Sequence, residues 1–145
     1  METRKWLSVF AKLTIVSAIL AVIVSVSIPY FMRQIQLSYE TAAIEQIRLL
    51  HKMQARYHSH FGHYTNTLRE LGPPPGGAGL IPKTLADGKK SGYVIELRAT
   101  PDGYALTAIP EKLGVTGRRS FYSNEDNAIR QNWSAEPADI HSPEI

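Results

Sequence analysis

Hydrophobic and polar positions change their spacing twice along this chain. Between Leu13 and Met32 there is no spacing to read: twenty residues pass without a charge, and only Thr14, Ser17, Ser25, Ser27 and Tyr30 are polar. A helix of that length, rising about 1.5 Å per residue, spans the roughly 30 Å of a bilayer's hydrocarbon. Serine and threonine are tolerable there because their hydroxyls can bond back to the helix's own carbonyls. The membrane-anchor positions are Leu13, Ile15, Val16, Ile19, Leu20, Val22, Ile23, Val24, Val26, Ile28 and Pro29. Pro29 removes one backbone donor near the far end. A buried core helix of a soluble protein fits less well, because the remaining chain is too small to wrap a helix this apolar.

From Arg33 to Phe61 the apolar residues recur at three and four. Ala43, Ile47, Leu50, Gln54, Tyr57 and Phe61 form one stripe, widened by Ile44, Leu49 and Met53. That spacing predicts a helix with one packed side, continuing from the apolar segment and stopping at Gly62. Ala43, Ile47, Leu50, Tyr57 and Phe61 are the positions expected to pack against a sheet. Glu45 and Arg48 make an i,i+3 pair worth a few tenths of a kcal/mol at most.

After residue 62 the pattern breaks up. Thr65 or Asn66 is placed to cap a short turn carrying Leu68 and Leu71. Pro73 to Gly79 reads as a loop, and Leu80, Ile81 and Leu85 as a second short turn closed by Asp87-Gly88. Then the period becomes two. Tyr93–Arg98 reads as a strand with Tyr93, Ile95 and Leu97 on one face, followed by the Pro101-Asp102-Gly103 turn. Tyr104–Ile109, Arg119–Ser123 and Ala128–Arg130 follow as further strands. The expected fold is α+β: a long N-terminal helix packed on an antiparallel sheet of three or four strands. The expected boundaries are 1–12 for a basic N-terminus, 13–32 for a transmembrane helix and 33–62 for a helical spine. Residues 63–91 form a loop with short turns, 92–132 the sheet and 133–145 a loose tail.

Bulk properties narrow the function. The chain has 145 residues, room for one domain, and a formal charge of +3. Its basic residues are scattered, with no run of five, so nucleic-acid binding has little support. No cysteine is present, which excludes disulfides and thiolate chemistry. Arg4 and Lys5 precede the apolar segment, and Arg33, Arg48 and Lys52 follow it, so charge alone orients the segment weakly. A cleavable signal peptide is the rival reading, with Ser25-Val26-Ser27 as small residues for a cut.

Little else suggests chemistry. His51, His58, His60 and His63 crowd the end of the predicted spine. His60 and His63 lie a turn apart but lack a third ligand, so solvent-facing or capping histidines fit better than a metal site. Asn124-Glu125-Asp126-Asn127 has too few carboxylates for calcium and reads as a hairpin turn. Tyr57, Tyr64, Tyr93, Tyr104 and Tyr122 read as rings packed at a helix–sheet seam. No catalytic Ser-His-Asp set, phosphate loop or zinc motif is present, and Gly76-Gly77-x-Gly79 lacks the strand and lysine that a phosphate loop needs. No enzyme activity and no cofactor are expected.

Several pieces in order resemble the type IV pilin and type II secretion pseudopilin family. They are Ile28-Pro29, Ala42-Ala43…Ile47-Arg48, Gln54-Ala55-x-Tyr57, Phe61-Gly62-His63-Tyr64 and Thr67-Leu68…Leu71-Gly72. Lys90-Ser91-Gly92-Tyr93, Gly103-Tyr104…Thr107-Ala108-Ile109-Pro110, Gly117 to Tyr122 and Ile129-Arg130 continue the set, which covers roughly residues 13–131. The resemblance implies a single-pass protein of the inner membrane, with its N-terminus in the cytoplasm and its head outside. It also implies partners among other pilin-like subunits or assembly-machinery membrane proteins, beside the lipid bilayer. Counting back from Pro29, the family's leader cut falls between Leu7 and Ser8. Leu7 replaces the family's glycine, and Lys12 replaces the glutamate thought to pair with a neighbour's new amino terminus. These departures argue against prepilin cleavage and against a major fibre subunit. The expectation is a pilin-like structural or accessory protein of a pilus or secretion assembly. The alternative is a periplasmic binding domain released by cleavage near Ser27.

Overall fold

The structure, a computed structural model, describes residues 2–75 and 77–145, with side chains except at residues 2–5, 8 and 9. Helix α1 runs Glu2–Phe61 and passes through Pro29 without interruption. The chain divides into two units, Met1–Ile35 and Gln36–Ile145. In the first, the apolar side chains of Leu13–Met32 are exposed.

The second unit, the head, is α+β. The last turns of α1 are followed by two one-turn helices, α2 (Leu68–Leu71) and α3 (Lys83–Ala86). Five strands follow: β1 (Lys89–Lys90), β2 (Tyr93–Thr100), β3 (Gly103–Pro110), β4 (Ser120–Asn124) and β5 (Ile129–Asn132). All pair antiparallel in chain order, an uninterrupted meander. The count exceeds the expected three or four because β1 is only two lysines long, too short to carry a period.

Alternation decides which face of the sheet is buried. Tyr93, Ile95 and Leu97 of β2, Tyr104, Leu106 and Ala108 of β3 and Phe121 of β4 form one core with Ala43, Ile47 and Leu50 of α1. Register fits large residues to small: Ala108 lies opposite both Ile95 and Phe121. Leu68, Leu71, Ile81 and Leu85 close the same core.

Two glycines are dictated by geometry. Gly62 takes φ +76° and donates to the His58 carbonyl at 2.8 Å, ending α1. At Gly117 a side-chain carbon would overlap the phenol of Tyr93, which donates to the Arg119 carbonyl at 2.9 Å.

Three local expectations need correction. Phe61 is 61% exposed and does not reach the sheet; as the last helical residue it stacks on Tyr57 instead, at 4.4 Å between ring centres. Thr67, not Thr65 or Asn66, is the cap residue of α2, and Glu70 reaches back to accept from the Asn66 N–H and the Thr67 hydroxyl. The tail is not loose. Gln131 donates to the Pro143 carbonyl at 2.9 Å and Ile145 to the Ile129 carbonyl at 3.0 Å, so the last residues run beside β5. Ala138 is buried and donates to Ser120 Oγ at 2.8 Å. Proline lacks a donor but keeps its carbonyl, and that carbonyl is what β5 uses.

Candidate functional site

Two features stand apart from ordinary core packing: the exposed apolar stretch of α1, and a set of polar side chains buried under the head.

In the apolar stretch, Leu13, Ile15, Val16, Ile19, Leu20, Val22, Ile23, Val24, Val26 and Ile28 are all exposed, as are Tyr30 and Phe31. Three of the polar members bond back to the helix's own backbone. Thr14 Oγ1 donates to the Phe10 and Ala11 carbonyls at 3.1 and 2.9 Å, Ser25 Oγ to Val22 at 2.8 Å and Ser27 Oγ to Ile23 at 2.7 Å. The helix thus presents hydrocarbon outward while these three hydroxyls bond inward, an arrangement compatible with a helix that faces lipid. Among the described residues this is the one helix long and apolar enough to cross a membrane. Leu7 and Lys12 are exposed, and the Ser8 side chain lies outside the described residues.

The buried polar set lies on the other half of α1. Ala43, Ile47 and Leu50 are fully buried and Tyr57 is half-buried, but Gln36, Glu40, His51 and Gln54 are buried beside them. Each has partners. Gln36 Nε2 donates to the Gly114 carbonyl. Gln54 exchanges two bonds with the backbone of Thr65, at 3.0 and 3.2 Å. Glu40 is 2% exposed; its two oxygens accept from the Arg118 N–H and from Arg119 Nε, both at 2.8 Å. Arg119 in turn donates to Gln131 Oε1 at 2.6 Å, and its guanidinium lies 5.3 Å from the Phe121 ring centre and 5.0 Å from that of Trp133. A carboxylate this buried is tolerable because both of its oxygens are bonded and one partner is a cation.

His51 bridges two strands. Its Nδ1 lies 2.6 Å from the Tyr104 hydroxyl on β3 and its Nε2 2.8 Å from Ser123 Oγ on β4. Ser123 Oγ gives its own proton to the Ala128 carbonyl at 2.7 Å, so it accepts from Nε2–H, and Nδ1 accepts from Tyr104. Burial pushes the Tyr104 phenol far above its usual range, which keeps it a donor. Burial also holds the imidazole below its usual value, an effect partly offset by the Asp126 carboxylate. With both ring nitrogens occupied and Ser123 fully buried, this trio is a clamp of helix to sheet rather than a nucleophile and its base.

The other singled-out residues do not converge. His58 stacks on Tyr64 at 4.5 Å, His63 Nδ1 sits 3.0 Å from the Phe61 carbonyl, and His60 is exposed. Among the described residues no group of three or more His, Asp or Glu is placed to hold a metal ion. Residues 124–127 form a turn in which Asp126 accepts from the Ala128 N–H at 2.7 Å and pairs with Arg130 at 3.2 Å. Four of the five tyrosines pack as expected, Tyr64 on Tyr104 at 4.9 Å, Tyr93 on Phe121 at 5.9 Å and Tyr57 against the edge of the core, but Tyr122 does not: alternation puts it on the face of β4 opposite the buried Phe121 and Ser123. An open cleft of about 580 Å³ lies between α1 and β5, walled by Arg48, Leu49, Lys52, Ile129 and Glu144, and His51 at its edge is already doubly bonded.

Gln36 and Glu40 lie outside the expected stripe, and His51, expected to face solvent or cap the helix, is buried between Tyr104 and Ser123 instead. For Gln36 and Glu40 the signal was present: 36, 40, 43, 47, 50, 54 and 57 continue one alternation of four and three. The stripe read from the sequence begins at its first apolar member, Ala43, and so leaves Gln36 and Glu40 outside it. No known family model, curated protein or solved structure matches the chain.

Proposed function

We propose that this chain is a membrane-anchored, pilin-like structural or accessory protein that acts by packing its apolar helix against like helices in a pilus or secretion-type assembly. The observation that carries the reading is the outward-facing, charge-free stretch Leu13–Met32 on the same helix that supplies the head's buried stripe. An apolar helix surface of that size is stable only when lipid or other helices cover it. On this reading the N-terminus is cytoplasmic and the head lies outside the inner membrane. Lys12 then snorkels to the cytoplasmic boundary. Lacking a glutamate at that position, the chain stays in the membrane rather than entering a fibre as a major subunit.

The intact mass of the mature protein, taken with carbonate extraction of membranes, tests this. Full length in the membrane pellet supports the retained anchor. Loss of residues 1–7 supports prepilin-type processing. Loss of about residues 1–27, with release into the periplasm, overturns the anchor and favours a secreted binding domain, a reading supported by the head's possession of its own core. Cysteine cross-linking is clean in a chain with none of its own. Val22→Cys is expected to form dimers in native membranes, and its failure to do so across successive anchor positions removes the helix-packing mechanism.

A further inference from the structure

One surface of the head is left unexplained by its core. The loop between β3 and β4 exposes two large aliphatic side chains, Leu113 and Val115, about half accessible each. They flank Gly114, and the loop around them is ordered: Gly114 N–H donates to the Gly117 carbonyl at 2.7 Å, and Thr116 N–H to that of Lys112 at 2.9 Å. Thr116 Oγ1 also accepts from the Lys112 N–H at 3.1 Å. The loop's hydrogen bonds hold these two aliphatic groups side by side at the surface, a small apolar pair that a partner could cover. Lys112 and Arg118 are exposed on either side of the pair, against one acid, Glu111.

The position of the loop along the chain identifies that partner. Its tip is tethered through the Gly114 carbonyl to the side chain of Gln36. Gln36 is four residues beyond Met32, where the charge-free segment ends. Chain length alone keeps those two residues within about 14 Å. The headgroup layer is about 5–7 Å thick on each side of the hydrocarbon, so that reach brings the loop tip within range of it. Aliphatic groups flanked by cations are the composition that binds a lipid surface carrying anionic headgroups.

We infer that loop 111–119 is a second, interfacial membrane contact. Leu113 and Val115 enter the headgroup boundary, Lys112 and Arg118 meet lipid phosphates, and the Gln36–Gly114 bond holds the loop at that depth. This rests on the membrane-anchor reading and adds to it a second, headgroup-level contact with an anionic bilayer.

The test uses the full chain, reconstituted into vesicles of phosphatidylethanolamine and phosphatidylglycerol. Single cysteines carry an environment-sensitive fluorophore at Val115→Cys, at Val22→Cys as the anchor reference, and at Asp102→Cys. Asp102 lies at the far end of β3, about 25 Å along the strand. The expected result is a blue-shifted Val115 label quenched by lipids spin-labelled near the headgroup, a Val22 label quenched by deep spin labels, and a water-like Asp102 label. Lys112→Ala with Arg118→Ala weakens the docking about fivefold per cation removed, as does replacing phosphatidylglycerol with a neutral lipid. A Val22 label out of reach of deep quenchers overturns the anchor reading itself. A quenched Val22 label beside an unquenched Val115 label overturns the loop contact alone. A Val115 shift that disappears on diluting the protein in lipid assigns the loop to a second copy of the chain, and also overturns it.

Discussion

Two stretches of one helix, Leu13–Met32 and Gln36–Phe61, meet opposite demands with opposite arrangements. In the first, every large apolar side chain faces outward, and the hydroxyls of Thr14, Ser25 and Ser27 bond back to their own backbone. In the second, the buried face includes Gln36, Glu40, His51 and Gln54, while charged Glu45, Arg48, Lys52 and Arg56 lie exposed or at the edge. The two stretches differ in where their polar atoms find partners as clearly as in composition. The first finds them within one turn. The second finds them up to 79 residues away, as Glu40 does in Arg119.

The sharpest way to break this contrast is to make the same truncation on both stretches. Leu50→Ala opens a cavity in the head and is expected to cost about 3–4 kcal/mol of its stability, whereas Leu20→Ala leaves head stability within about 0.5 kcal/mol. Denaturant melts of the full chain in detergent, followed by tyrosine and tryptophan fluorescence, separate the two. Equal losses would dissolve the distinction. Glu40→Ala comes next, at about 3 kcal/mol, because it leaves the Arg118 N–H and Arg119 Nε without an acceptor and the guanidinium without its counter-charge. Glu40→Gln restores part of the loss, since the amide oxygen can still accept one of the two bonds. If the alanine variant melts like the parent, the buried carboxylate is not what joins α1 to the loop that leads into β4.

A smaller effect comes from His51. Its folded-state pKa lies below the ordinary 6.5, so the unfolded chain takes up the proton first. Stability is therefore complete above about pH 6.5 and falls as pH drops through the lower folded value, by no more than about 1.4 kcal/mol per pH unit. His51→Asn is expected to be less stable at neutral pH yet flatter between pH 7 and 5; an unchanged acid limb would show that another group sets it. Smallest is Phe61→Ala. With its ring exposed and stacked only on Tyr57, the loss is expected to stay near 0.5 kcal/mol, and a loss comparable to that of Leu50→Ala would put Phe61 in the core after all.

Much of the fold is legible in local spacing. A twenty-residue charge-free segment, a stripe at three and four, and an alternation of two at Tyr93-Val94-Ile95-Glu96-Leu97 each report a backbone period directly. Elements without a period were not legible. Lys89-Lys90 is a strand only because Val94 and Tyr93 stand opposite it. The last residues are tied down only because β5 has an open edge for the Pro143 carbonyl and the Ile145 N–H. The expected solvent-facing or capping role failed for His51 for a related reason. A histidine at that position reads as polar surface until Tyr104 and Ser123 are known to stand on either side of it.

The sequence by itself determined the period-governed parts: one helix with a lipid-like first half and a striped second half, and strands with Tyr93, Ile95 and Leu97 facing one way. Those follow from side-chain polarity at fixed backbone repeats, a property of neighbours along the chain. Only the tertiary structure decided which polar groups go inside, that Glu40 meets Arg119, that His51 clamps β3 to β4, and that Gln36 tethers the tip of the β3–β4 loop. Such pairings join residues 53 to 79 positions apart. A buried polar atom is stable only beside a partner, and no local pattern states where that partner will be.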